Sequence, residues 1–110
     1  MSECVFTTAS ADGFLEVRVG WHHDHNGNSS YFGRVWEDGD EERELVDVGC
    51  AFVDPISSVD ELRERMGDYA AFLPVDLAIP HDHKTVIRFV RVAEGNSPRM
   101  RDYVATPEFA

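Results

Sequence analysis

Alternation of apolar and polar residues is the clearest pattern in the first half of the chain. Between Phe14 and Trp21 the odd positions are apolar, whereas Glu16 and Arg18 occupy even positions. A period of two residues is typical of a strand with one buried face. Segments 4–8 and 45–53 are also rich in β-forming residues, and Phe52 falls on the apolar face of the second. The first half is therefore predicted to be an antiparallel meander.

The dipeptide Asn26-Gly27 predicts a hairpin with a two-residue loop, because both residues tolerate the positive φ of a type I′ turn. The loop length fixes the register of the two flanking strands. The resulting pairs are His25 with Asn28, His23 with Ser30, Trp21 with Phe32, and Val17 with Trp36. This register puts Tyr31 on the face opposite Trp21, beside His22.

Helical periodicity begins after Asp54-Pro55. Ser58 is a candidate N-cap, and Glu61 three residues later completes a capping box. Pro74 is expected to end the helix. Its apolar face comprises Val59, Leu62, Met66, Tyr69, Ala70 and Leu73. Segment 84–93 is then predicted to be a central strand, since it is apolar on both faces.

These elements predict an α+β fold. We expect a small, twisted, mostly antiparallel sheet of about five strands in the order β-β-β-β-α-β, with one helix packed on one face. The 110 residues suffice for one domain. Residues 1–110 are therefore expected to form a single compact domain, with 98–110 as a C-terminal tail.

The amino-acid composition argues against several classes of function. The chain has 21 acidic and 10 basic residues, for a net charge of −11. Phosphate contacts need clustered lysine and arginine, so this balance argues against direct nucleic-acid binding. No apolar run approaches the roughly 20 residues that span a bilayer, and residues 1–4 show no signal-peptide pattern. We expect a cytoplasmic protein in which Cys4 and Cys50 are reduced thiols, with one disulfide as the alternative.

The most acidic segment is 37–44, which holds six acids and one arginine. It is either a solvated hairpin tip or an electrostatic patch that binds a basic protein. The second interpretation predicts a non-enzymatic protein that associates stoichiometrically with a nucleic-acid-handling protein or a toxin. Immunity proteins and phage-encoded inhibitors of defence complexes have a similar size and charge. The predicted contact residues are Glu37, Asp38, Asp40, Glu41, Glu42 and Glu44, with Tyr31 and Trp36 as aromatic anchors.

All five histidines lie in two clusters, at positions 22–25 and 81–83. In an extended chain, alternate residues project to one face, so each cluster offers a pair of imidazoles. Such pairs chelate divalent metals such as Zn²⁺, although polar loop ends have the same composition. The alternative function is a metal-binding domain or a small metal-dependent hydrolase. Its predicted ligands are His23, His25, His81 and His83.

A third interpretation is a subunit of a larger assembly that docks through its tail. Tyr103 and Phe109 would supply the apolar contact. The sequence leaves monomer and homodimer open, and it assigns no catalytic residue.

Overall fold

The computed structural model describes residues 1–10, 13–24, 26–37, 39–81, 85–91 and 98–109. The elements follow the predicted order, with one further strand at the end. They are β1 (Ser2–Ser10), β2 (Gly13–His23), β3 (Ser29–Glu37), β4 (Glu44–Val48), α1 (Val59–Met66) with a 3-10 helix (Gly67–Phe72), β5 (Thr85–Arg91), a second 3-10 helix (Met100–Asp102) and β6 (Tyr103–Phe109).

The strands join in one sheet with the order β4-β3-β2-β1-β5-β6. Neighbours are antiparallel except β1 and β5, which are parallel. The connection that carries α1 leads from β4 at one edge to β5 beyond β1. The predicted α+β class, with a mostly antiparallel sheet and one helix on it, is confirmed. No helix in the described part of the chain is long and apolar enough to cross a membrane.

The helix begins as predicted. The Ser58 hydroxyl accepts the backbone N–H of Glu61 at 3.1 Å, and the Glu61 carboxylate accepts the N–H of Ser57 at 3.2 Å. The first bond satisfies a donor that the first turn leaves without a partner. The second is made to Ser57, one residue before the N-cap, whereas the predicted capping box would place it on the N–H of Ser58. The α-helix ends earlier than predicted, at Met66, because Gly67 has a φ of 62° and the chain continues as a 3-10 helix.

The core lies between the helix and one face of the sheet. Phe6 stacks on Phe89 with ring centroids 4.8 Å apart, and Tyr103 meets Phe6 edge-on at 5.1 Å. Tyr103 belongs to the predicted tail, which here supplies β6 and a buried ring. The side chain of Phe109 lies outside the described part. The buried cluster comprises Cys4, Phe6, Val17, Val19, Val35, Ile56, Leu62, Met66, Leu73, Phe89 and Tyr103.

The opposite face of the sheet is covered by its own side chains. Trp36 is only 2% exposed, although no described helix packs over it. The guanidinium groups of Arg18 and Arg34 lie over its ring, 5.1 and 5.3 Å from the centroid. Arg18 in turn lies 3.4 Å from the carboxylate of Glu16 and 3.6 Å from that of Glu3. Arginine stems and cation–π contacts therefore bury an aromatic ring that would otherwise face water.

The predicted register between β2 and β3 is wrong by one residue. Trp21 pairs with Tyr31, and Phe32 lies opposite Gly20. Asp24 explains the shift, because one of its carboxylate oxygens accepts the backbone N–H groups of Asn26 (2.8 Å) and Asn28 (3.0 Å). The connection therefore occupies positions 24–28, and Tyr31 shares a face with Trp21 rather than with His22.

Glycine 20 favours the observed register. A Cβ atom at Gly20 would lie 2.2 Å from the carbonyl oxygen of Ser2 and 2.5 Å from the ring of Phe32, so a larger residue would clash with the backbone of β1 as well as with that ring. The predicted pairing of Phe32 with Trp21 would lose this fit.

The strand predicted over 45–53 is also shorter than expected. β4 ends at Val48, where Gly49 adopts a φ of 91° that favours glycine. Residues 50–54 then form a tight turn in which Phe52 points into solvent instead of the core.

Replacing Trp36 with alanine tests the role of the arginine layer. We expect Trp36→Ala to lower the free energy of unfolding by about 3–5 kcal/mol, as for other buried aromatic rings. Phe14→Ala removes a ring that is 61% exposed and is expected to change stability by less than about 0.5 kcal/mol. Urea unfolding measures both. A loss below about 1 kcal/mol for Trp36→Ala would show that the arginines do not bury this ring effectively.

Candidate functional site

The predicted contact residues lie at two ends of the sheet. Tyr31 pairs with Trp21 near one end of β2, and Glu37 pairs with Leu15 near the other. Positions 31 and 37 are six residues apart in an extended strand, which corresponds to about 20 Å. The structure therefore does not bring the acidic segment and the Tyr31 anchor together.

The acidic loop, residues 37–44, connects β3 to β4. Two successive turns shape it, with the N–H of Asp40 donating to the Glu37 carbonyl at 2.9 Å and the N–H of Arg43 donating to the Asp40 carbonyl at 3.2 Å. Glu37, Glu41 and Glu42 are exposed. Asp38 lies outside the described residues. Within those described, the carboxylates of Glu37, Asp40, Glu41 and Glu42 form no salt bridge.

Glu44 differs from the other acids of the loop. Its carboxylate accepts hydrogen bonds from two nitrogens of Arg34, and this contact lowers the pKa of Glu44. The charge of Glu44 is therefore compensated within the protein. It helps to hold Arg34 over Trp36 rather than adding to an external field.

The two predicted anchors also differ in what they can contact. The Trp36 ring is buried beneath Arg18 and Arg34, so it is not available to a partner in this conformation. Tyr31 is half-buried, and its hydroxyl lies 2.7 Å from Nε2 of His81.

Two of the predicted metal ligands converge on one aromatic ring. His81 stacks on Trp21 at 4.7 Å, and the ring of His23 lies 5.5 Å from the same indole. His25 and His83 lie outside the described residues. Among the residues that are described, no three histidine, cysteine or acidic side chains form a metal-binding group.

His22 lies on the other face of the sheet. Its Nε2 accepts the backbone N–H of Ala51 at 3.2 Å, and its ring meets Phe32 edge-on at 5.6 Å. Burial lowers the pKa of His22, because a charged imidazolium is less well solvated there. The hydrogen bond needs an unprotonated Nε2, so the neutral form fits this site.

A shallow groove of about 390 Å³ surrounds this histidine. Asp47 and Glu3 bring negative charge to it, and Arg34 brings positive charge. The groove is lined by Met1, Glu3, His22, Phe32, Arg34, Asp47, Gly49 and Cys50.

Both cysteines are free thiols. Cys4 is buried in the core, and its thiol donates a weak hydrogen bond to the carbonyl of Ala78 at 3.8 Å. Burial raises the pKa of Cys4 to about 11. Cys4 is therefore a protonated packing residue, whereas Cys50 is partly exposed at the groove.

The exposed apolar turn at residues 50–54 differs from the strand that the sequence predicts there. Phe52 is 79% exposed and Val53 is 81% exposed. The flanking Gly49 and Asp54-Pro55 are a signal that could have revealed the turn, since glycine and proline interrupt strands. Alternation alone placed Phe52 in the core.

No family model, curated protein or solved structure matches this chain.

The histidine at position 22 predicts a pH dependence. Because its pKa is lowered in the folded state, the unfolded chain takes up a proton at higher pH than the folded protein does. The free energy of unfolding is therefore expected to fall as the pH drops below about 6.5. His22→Gln keeps an acceptor for the Ala51 N–H but removes the titration, so it should lose less stability between about pH 7.5 and 5.5 than the wild type.

Urea unfolding at the two pH values measures this difference. His23→Gln is the matched control, because it changes the adjacent, outward-facing histidine and leaves His22 in place. If the wild type and His22→Gln lose the same stability between the two pH values, the pH dependence does not arise from His22.

Proposed function

We propose that this chain acts by stoichiometric association with a basic protein partner, to which it presents the acidic loop. The observation that carries the proposal is that, among the residues of this loop that the structure describes, Glu37, Glu41 and Glu42 are exposed and form no salt bridge. Residues 37–43 hold five acids and one arginine, a net charge of −4. Concentrated charge of one sign speeds association with a complementary surface and disfavours other partners.

The distribution of arginines supports this proposal. Arg18 lies near Glu16 and Glu3, Arg34 pairs with Glu44, and Arg88 lies 3.9 Å from Glu16. These positive charges serve acids on the sheet itself. The acidic loop is left with Arg43 as its one internal basic residue.

The partner class follows from charge. A protein that handles nucleic acid carries clustered arginine and lysine for phosphate contacts. Exposed carboxylates can occupy such a surface and exclude the nucleic acid from it. The proposed role is therefore that of a non-enzymatic inhibitor or adaptor of a nucleic-acid-handling protein or a basic toxin.

A metal centre is the second candidate function. It is favoured by the convergence of His23 and His81 on the Trp21 ring. A physiological Zn²⁺ site predicts one tightly bound metal per chain as purified, lost in His23→Ala, and an apo-protein that unfolds more readily. Elemental analysis with thermal unfolding tests this, and weak binding at several sites would count against it.

Neutralising the acidic loop tests the leading proposal. The variant Glu37→Gln, Glu41→Gln, Glu42→Gln is compared with Asp60→Asn, Glu64→Gln, Asp68→Asn. Each triple variant removes three exposed negative charges, the first from the loop and the second from the helical segment. Because total charge changes equally, only its position differs between them.

The wild-type protein first captures its partner from a lysate of the cells that express this chain. The association rate of each variant with that partner is then measured at low and at high salt. We expect the loop variant to associate roughly tenfold more slowly at low salt, with a weaker salt dependence. The helix variant should stay within about twofold of the wild type. Equal slowing by both triples, or by neither, would refute a role for the loop.

A further inference from the structure

The turn at residues 50–54 carries an unusual surface. Its tip exposes two large apolar side chains, with Phe52 at 79% and Val53 at 81% exposure. Large exposed apolar groups are enriched where proteins contact one another, and aromatic rings often dominate the binding energy there. We infer that Phe52 and Val53 form the hydrophobic anchor that enters an apolar pocket on the basic partner. This inference rests on the proposed function.

The turn is held in place on both sides. Cys50 and Asp54 exchange two backbone hydrogen bonds, of 2.9 and 3.0 Å, and the Ala51 N–H donates to His22. The Asp54 carboxylate accepts hydrogen bonds from two nitrogens of Arg65 on α1. This contact lowers the pKa of Asp54, so the pair persists in mildly acidic solution.

The chain after the turn is also fixed. Ile56 is fully buried, its N–H donates to the Ser30 hydroxyl at 2.8 Å, and its carbonyl accepts the N–H of Tyr31 at 2.9 Å. An apolar tip on a fixed base loses little conformational freedom when it binds. The anchor is therefore already shaped for insertion.

The turn and the acidic loop belong to the same edge of the sheet. β4 is the edge strand, with the loop immediately before it and the turn immediately after it. The strand has five residues, about 17 Å, so one protein surface of ordinary size can touch both ends. Asp47 and the partly exposed Leu45 lie on β4 between them.

Charge decides which partner fits this edge. A second copy of the chain would bring another net charge of −11 and a second acidic loop toward the first. An anionic membrane would be repelled in the same way. A basic protein with an apolar pocket matches both ends, because its charge complements the loop and its pocket receives the phenylalanine.

Site-specific crosslinking tests the contact directly. A photoreactive phenylalanine analogue replaces Phe52 in the full chain, or Val75 as the control, which is an exposed apolar residue after the first 3-10 helix and outside β4 and its two flanking segments. After illumination in a lysate of expressing cells, we expect position 52 to crosslink to one protein rich in lysine and arginine, and position 75 not to do so. No crosslink specific to position 52 would overturn the inference, as would a crosslink to a second copy of this chain or to lipid.

Kinetics with the crosslinked partner, purified, separate this inference from the proposed function. We expect Phe52→Ala to raise the dissociation rate roughly tenfold or more and to leave the association rate and its salt dependence unchanged. Val75→Ala should leave both rates unchanged. An unchanged dissociation rate in Phe52→Ala overturns the anchor even if the loop variant slows association. Conversely, an unaltered association rate in the loop variant overturns the electrostatic proposal even if Phe52→Ala dissociates faster.

Discussion

Arg18 and Arg34 stack on Trp36 and cover the face of the sheet that the helix does not reach. One helix buries only one face of the sheet, so Trp36, Val5 and Phe32 on the other face need cover from their own strands. Arginine side chains provide this cover, since the apolar stem and the planar guanidinium group of arginine lie flat on an indole. Two arginines directly opposite each other repel, and nearby carboxylates offset that repulsion.

This arrangement determines where the charge of the protein acts. Glu3, Glu16 and Glu44 are engaged with arginines on the sheet and contribute little beyond it. Of the other carboxylates that the structure describes, most lie in loops and on the helix, with the densest set between β3 and β4 and with Asp47 on β4 itself. The positions of the paired and unpaired carboxylates, and not the net charge alone, therefore determine which part of the surface is acidic. The edge strand β4 joins this acidic region to the apolar turn at its other end.

The sequence predicts local elements well and cross-strand geometry poorly. The N-cap at Ser58 and the alternation in β2 depend on neighbours in sequence, and both appear as expected. The hairpin register depends on the Asp24 carboxylate, which captures two backbone amides and extends the loop beyond Asn26-Gly27. A shift of one residue moves Tyr31 to the other face.

The candidate site shows the same difference between features that are local in sequence and contacts between distant residues. Its acidic segment is readable from composition, whereas the burial of Trp36 requires knowledge of what lies opposite it. Phe52 fits an alternating strand, and only the turn after Gly49 exposes it. If the β4 edge of the sheet binds the partner, as proposed, its backbone amides become protected in the complex. Hydrogen exchange of the complex, compared with that of the free protein, measures this protection. We predict slower exchange in residues 39–54 of the complex, with residues 103–109 of β6, at the opposite edge of the sheet, unchanged; slower exchange in β6 with residues 39–54 unchanged would contradict the proposal.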